Sequence, residues 1–242
     1  MGQIIRSRYL NSDPLSSWSM IKQVTEKNNA GEFAWLQNVN NSIVTNHNKI
    51  ANFSKTKIMV IGSSQTAGEG SALENEDFVS QFSSLVNNNL PSSKDKFEVI
   101  NAGFSGQPIK TMLAYFRYQL LQFEPSMVIV NASSNDNSYA TGDDFSIALE
   151  DFIYLSKKYN FELVFVAEAN SVESGKKIAN HKIMRDLAEK NEITFINMHE
   201  YLADQQNNGI IWWDFVHPTS FGYKLIANHL FDSLKPQLLE LN

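Results

Sequence analysis

Two short segments, far apart in the chain, carry the residue types that nucleophilic catalysis requires. Ser64 follows a strand-like apolar run at residues 58–61, and an Asp-x-x-His motif from Asp214 to His217 lies about 150 residues further on. A serine hydroxyl becomes a good nucleophile when an imidazole takes its proton and a carboxylate fixes the imidazole tautomer. In the chain order Ser, Asp, His, the three residues predict an acyl-transfer site.

Each of these residues also has a purely structural interpretation. A serine in a turn is usually a helix cap, and Asp214 can cap the last helix while His217 packs beneath it. Among the five histidines, however, only His217 has an acid three residues before it, whereas the other four have Val or Ile there. The choice between the catalytic and the structural interpretation therefore depends on the helices and strands that position these residues.

Continuous apolar runs alternate with helical patterns from residue 57 onward. Runs without polar alternation are typical of parallel strands buried on both faces. We expect strands at 57–62, 97–101, 126–132, 162–168 and 193–197, and helices at about 74–90, 108–123, 143–159, 176–190 and 219–235. This order predicts a three-layer α/β/α sandwich with a mostly parallel sheet of about five strands.

The carboxyl ends of the predicted strands collect small and polar residues, which is where α/β sheets place their sites. Gly106 follows the second strand, and its backbone N–H can face the rim without a side chain in the way. Asn135 follows the third strand and offers an amide donor. Such donors can stabilise an oxyanion, although an ordinary turn glycine and an Asx-turn explain the same residues.

Four motifs in this order resemble the SGNH (GDSL-type) hydrolase family. Residues 62–70 are similar to its Gly-Asp-Ser-x-Thr-x-Gly block, 101–106 to its second block, 133–136 to Gly-x-Asn-Asp and 214–218 to Asp-x-x-His-Pro. The resemblance covers residues 57–235 and implies a flavodoxin-like fold. It also implies Ser64 as nucleophile, His217 as base and Asp214 as its orienter, with Ser64 N–H, Gly106 and Asn135 forming the oxyanion hole.

Two positions depart from the family pattern. Ser63 stands where the first block has Asp, and Ser133 stands where the third block has Gly. Neither position carries chemistry in the family's mechanism, so we expect the mechanism to be retained. A non-catalytic binding module that keeps the fold is the alternative that these two departures leave open.

The composition argues against several other classes of function. A formal charge of −6 without a basic stripe argues against nucleic-acid binding, and the absence of cysteine removes thiol nucleophiles and Cys-based metal sites. No histidine pair completes a zinc site, so we expect neither a metal nor an organic cofactor. His181 is expected on a partly exposed helical face, and Glu69 and Glu168 are expected as rim carboxylates.

Residues 1–55 differ from the rest in being rich in Asn and Ser. We interpret them as an N-terminal extension, helical in part and packed on a catalytic domain at 56–242, with an unknown protein partner. The first residues lack the apolar core of a signal peptide, and no run reaches membrane-spanning length. We therefore expect a soluble protein, cytoplasmic by default or exported if a signal has been removed.

Aromatic residues near the predicted rim suggest the substrate. Sugars and acyl chains both pack on aromatic faces, and the short connections predict an open groove. We expect a small acyl group such as acetyl, on a carbohydrate or other polar carrier. A lipase or thioesterase acting on longer acyl chains is the alternative. The candidate wall residues are Phe104, Tyr139, Trp212, Trp213 and Phe215.

Overall fold

The computed structural model describes residues 55–90, 97–136, 142–171, 175–205 and 210–241. The strands are Thr56–Gly62 (β1), Phe97–Gly103 (β2), Met127–Ala132 (β3), Glu162–Ala167 (β4) and Thr194–Asn197 (β5). The helices are Ser64–Ala67 (α1), Phe78–Asn89 (α2), Ile109–Phe123 (α3), Gly142–Tyr159 (α4), Gly175–Asn191 (α5), Met198–Asp204 (α6) and Ser220–Glu240 (α7). The predicted N-terminal extension lies, except for Lys55, outside the described residues.

The five strands form one all-parallel sheet in the order β2-β1-β3-β4-β5. Both faces of the sheet are buried, which explains why the strands read as continuous apolar runs. In β1, Met59 and Ile61 pack with α3, α4 and α5, whereas Ile58 and Val60 pack with α2, α6 and α7. The predicted three-layer α/β/α sandwich is thus confirmed.

The strand order contains one switch point, between β1 and β3. The chain passes from β1 outward to β2 and then returns to the other side of β1 to form β3. The connections that leave β1 and β3 therefore diverge to opposite faces, and a crevice opens at the carboxyl ends of these two strands. Ser64 directly follows the turn after β1, and Asn135 follows β3.

The last helix is longer than the sequence predicts. The local pattern places its end at about residue 235, before Pro236, but the helix continues to Glu240. An interior proline costs a helix about 3 kcal/mol. Here Leu234 and Leu238, one turn apart and both fully buried, hold the final turns against the sheet, and the cost is offset by this packing.

None of the helices in the described part of the chain is long and apolar enough to cross a membrane.

Candidate active site

The turn after β1 places Ser64 at the rim of the sheet. Strand β1 ends at Gly62, where a Cβ would lie only 2.0 Å from Thr66 Oγ1, so the turn can close tightly only with glycine there. Ser63 is the N-cap of α1, and its Oγ accepts a hydrogen bond from the Gln65 N–H at 3.4 Å. The capping role therefore belongs to Ser63, and the Ser64 hydroxyl is left for another partner.

That partner is His217, whose Nε2 lies 2.8 Å from Ser64 Oγ. The other ring nitrogen, Nδ1, lies 2.7 Å from Asp214 Oδ2. The structure thus joins Ser64, His217 and Asp214 in one hydrogen-bonded chain, with the ring in the middle. The chemistry of such a chain is transfer of the serine proton to Nε2 while the carboxylate holds a proton on Nδ1.

Asp214 is oriented by its own loop. Its Oδ1 accepts hydrogen bonds from the backbone N–H groups of Val216 and His217, both at 2.7 Å. Burial acts to raise the pKa of Asp214, but the hydrogen bonds from the His217 ring and from these two N–H groups outweigh it and lower the pKa. The cap of helix α7 is Thr219, not Asp214, so the structural interpretation of Asp214 does not hold.

Gln65 connects the serine turn to the histidine loop. This side chain is 2 % exposed, and its Nε2 donates to the carbonyl oxygens of Ala169 at 2.5 Å and Val216 at 2.7 Å. Gly70, at φ +94, packs against the same loop, because a Cβ there would lie 3.1 Å from His217 Cβ. Three segments distant in sequence are held together by these contacts.

A second carboxylate approaches the histidine ring. Glu69 Oε2 lies 3.3 Å from His217 Nε2, and the Glu69 side chain is 48 % exposed. From sequence, Glu69 is expected only as a carboxylate of the rim. The signal for its proximity to His217 is its position five residues after Ser64, at the end of the same turn.

The two predicted oxyanion donors lie on loops that contact each other. Asn135 Nδ2 donates to the backbone oxygen of Gln107 at 3.1 Å, next to Gly106. An amide group has two donor hydrogens, so this bond uses only one of them. Gly106 adopts φ +71, and a Cβ built there would meet nothing within 4 Å, so its backbone borders open space.

The buried Asp136 connects the loop of Asn135 with the segment that follows Gly106. Its Oδ1 accepts a hydrogen bond from Ile109 N–H at 2.9 Å, at the start of α3, where the N-cap residue Pro108 offers no side-chain bond. Burial raises the pKa of Asp136 to about 7, a rise opposed by the Ile109 hydrogen bond and reinforced by the charge of Glu168. This carboxyl therefore titrates near neutral pH.

The two departures from the family pattern are both accommodated by buried polar partners. The Ser63 hydroxyl donates to Oε1 of the fully buried Glu168. Ser133 adopts φ +148, in the region that favours glycine, and its Oγ lies 3.0 Å from His181 Nε2. His181 is 6 % exposed, so the expectation of a partly exposed His181 was wrong. Glu168 is likewise not a solvated rim residue.

The structure divides the five candidate wall residues. Trp213 and Phe215 are 72 % and 77 % exposed on either side of Asp214, whereas Trp212 is half-buried against the core. Phe104 does not fit the predicted role as a wall residue. It is 5 % exposed and packs on Tyr115 with ring centroids 4.3 Å apart, so it offers no face to a substrate. Tyr139 lies outside the described residues.

Within the described ranges, no group of three or more His, Asp or Glu side chains is placed to hold a metal ion.

The sequence profile of the GDSL-like lipase/acylhydrolase family matches residues 60–225, which include every residue of this candidate site. The chain belongs to this family. Members of the family are acylhydrolases, and the chain is a carboxylic ester hydrolase with their fold. Among curated protein sequences, none matches the chain.

Solved structures show the same fold at low sequence identity. An acetyl xylan esterase is 19 % identical, covers 74 % of this chain and 99 % of its own, and superposes with a TM-score of 0.64. A variant of an acetylxylan esterase from Geobacillus stearothermophilus is 15 % identical, covering 75 % and 94 %, with a TM-score of 0.64. A lipase/acylhydrolase from Enterococcus faecalis is 18 % identical, covering 75 % and 96 %, with a TM-score of 0.63.

Proposed function

We propose that this ester hydrolase works through a Ser64-His217-Asp214 triad. The observation that carries the proposal is the continuous hydrogen-bond chain, 2.8 Å from Ser64 Oγ to His217 Nε2 and 2.7 Å from Nδ1 to Asp214 Oδ2. A non-catalytic binding module would have no use for this geometry, so the contact favours an active enzyme over the fold-only alternative.

In the proposed reaction, Ser64 Oγ attacks the ester carbonyl carbon while His217 Nε2 takes the hydroxyl proton. The imidazolium then gives that proton to the leaving alcohol, and an acyl-Ser64 intermediate forms. Water, activated by the neutral His217, attacks the acyl group and restores the serine. Asp214 keeps its charge throughout, in line with its lowered pKa, and stabilises the imidazolium.

The developing oxyanion would be bound by the Ser64 N–H, the Gly106 N–H and the Asn135 amide. The open space around Gly106 supports its assignment, as does the second hydrogen of the Asn135 amide, which has no acceptor among the described residues. Preorganised donors of this kind contribute about 10²–10³-fold each in turnover because they are aimed at charge that exists only in the transition state.

The substrate is proposed to be a small acyl ester, acetyl first, on a carbohydrate or other polar carrier. Two fold neighbours are acetyl xylan esterases, and the exposed faces of Trp213 and Phe215 beside Asp214 suit stacking on sugar rings. The same exposed aromatic faces are the observation that favours the second candidate, hydrolysis of longer acyl chains.

Two experiments test these proposals. A fluorophosphonate probe should label the wild type but not Ser64→Ala, and both Ser64→Ala and His217→Ala should lose nearly all turnover because triad members act as a unit. Equal labelling of Ser64→Ala would exclude it as the nucleophile. The acyl length is decided by comparing acetyl with octanoyl p-nitrophenyl esters, where a clear preference for octanoyl would reject the small-acyl proposal.

A further inference from the structure

Glu168 is a fully buried carboxylate directly after strand β4, with 0 % of its surface exposed. Removing a carboxylate from water is costly unless hydrogen bonds replace its hydration. The hydrogen bonds that stabilise such a buried carboxylate also hold its partner groups in place. The partners of Glu168 therefore show which parts of the structure it positions.

The two carboxylate oxygens bind two different loops. Oε1 accepts a hydrogen bond from the Ser63 hydroxyl, and Oε2 accepts one from the Ser134 backbone N–H at 2.8 Å. Ser63 directly precedes the proposed nucleophile, and Ser134 directly precedes Asn135, the proposed side-chain donor to the oxyanion. One carboxylate therefore spans the two halves of the proposed site.

We propose that Glu168 is a positioning residue that sets the distance between the Ser64 nucleophile and the Asn135 oxyanion donor. This inference rests on the proposed function. Strands β1 and β3 are paired through Gly62 and Asn131, and beyond that pair the sheet no longer fixes the two loops relative to each other. Beyond the last β1–β3 pair, the Glu168 carboxylate connects the two loops through its hydrogen bonds to Ser63 and Ser134.

Direct contact of Glu168 with substrate is the competing role, and its burial argues against it. The nearby Asn170 supports the same loop, because its amide donates to Ser134 Oγ at 3.0 Å. Where the family pattern has an Asp at position 63, this chain has a serine beside a carboxylate from the end of β4. Ser63 then takes the role of donor to that carboxylate.

The test measures kcat and KM on p-nitrophenyl acetate, together with the urea midpoint, for Glu168→Ala and Glu168→Gln. A loss of alignment of about 1 Å costs on the order of 10²-fold in rate, so we expect Glu168→Ala to lower kcat by about 10–100-fold with KM changed less than about twofold. Glu168→Gln should lose less, because its amide oxygen still accepts one of the two hydrogen bonds.

Two controls separate positioning from general loss of stability. Phe152→Leu changes a fully buried core residue that stacks on Phe116, between helices α3 and α4. Ser156→Ala removes a buried serine hydrogen bond, to the Ile153 oxygen at 2.8 Å, and is matched to Ser63→Ala. Both controls should retain wild-type kcat even where the urea midpoint falls, whereas Ser63→Ala should lower kcat.

Wild-type kcat in Glu168→Ala would overturn the inference, as would an equal loss of kcat in Phe152→Leu at a similar urea midpoint. Ser64→Ala distinguishes this failure from failure of the proposed function. If Ser64→Ala is inactive and unlabelled while Glu168→Ala is fully active, only the positioning role is wrong. If Ser64→Ala retains activity, the proposed triad itself is wrong.

Discussion

Replacing Asp136 by asparagine should change how the stability of the protein depends on pH. The folded-state pKa of this carboxyl is raised from 3.8 to about 7, mainly by burial, so folding favours the neutral form. The contribution of this group to the free energy of unfolding is fully present below the unfolded pKa of 3.8, where both states are protonated. It is lost as the pH rises from there through the folded pKa of about 7, because the unfolded state ionises first. The asparagine of the variant stays neutral at every pH, and its amide oxygen can still accept the Ile109 hydrogen bond.

The magnitude follows from the two pKa values. A rise from 3.8 to about 7 corresponds to a total of about 4 kcal/mol between very low and high pH. About 2–3 kcal/mol of it falls between pH 5 and pH 8, because at pH 5 the unfolded carboxyl is already mostly ionised. Asp136 Oδ2 has no hydrogen-bond partner among the described residues, which suits a protonated carboxyl better than a carboxylate.

Urea unfolding of the wild type and Asp136→Asn at pH 5, 6, 7 and 8 measures this effect. The free energy of unfolding of the wild type, relative to that of the variant, should fall by about 2–3 kcal/mol from pH 5 to pH 8. Asp204→Asn, at an exposed carboxyl at the end of α6, controls for the loss of one negative charge. An Asp136→Asn difference that stays constant with pH would refute a raised pKa in the folded state.

Three further predictions concern the site. Asn135→Ala should lower turnover by about 10²–10³-fold with an unchanged urea midpoint, and wild-type turnover would reject its oxyanion role. Ser63→Asp should lose activity because it places a second carboxylate against buried Glu168. The double variant Ser63→Asp/Glu168→Ala should have at least about tenfold higher turnover than Ser63→Asp. Equal turnover of the two variants would show that charge repulsion is not the cause. Trp213→Ala should raise KM for a sugar ester without changing stability, whereas Trp212→Ala should lower the urea midpoint, and the reverse pattern would exclude Trp213 as the substrate wall.

The parts of the fold that could be predicted from the sequence are those in which local pattern and tertiary burial agree. Strand β3 is buried at every position, and Met127–Val130 accordingly read as an uninterrupted apolar run. The end of helix α7 could not be predicted in this way, because Pro236 is a local stop signal. Its effect is outweighed by Leu234 and Leu238, whose burial depends on the distant sheet.

The same distinction holds for the candidate site. Ser64, Asp214 and His217 could be found because their residue types and spacing are unusual in combination, and the structure brings them within hydrogen-bonding distance. The assignment of Phe104 was wrong because an aromatic residue after a strand reads alike whether it faces the rim or the core. Helix α3 was predicted, but the contact of its Tyr115 with the Phe104 ring is a tertiary contact that no local pattern reveals.

The two departures from the family pattern become understandable together. The family pattern has Asp at one position and Gly at the other, and at each this chain has a serine whose partner is distant in sequence. Ser63 requires Glu168 from the end of β4, and Ser133 requires His181 from α5, which offsets part of the roughly 1–3 kcal/mol that a non-glycine residue costs in a strained backbone region. Each serine thereby anchors its loop of the proposed site to an element on the β4 side of the sheet. The geometry of the site therefore depends on how β4 and α5 pack, so substitutions at Glu168 or His181 should affect turnover even though neither residue is exposed to substrate.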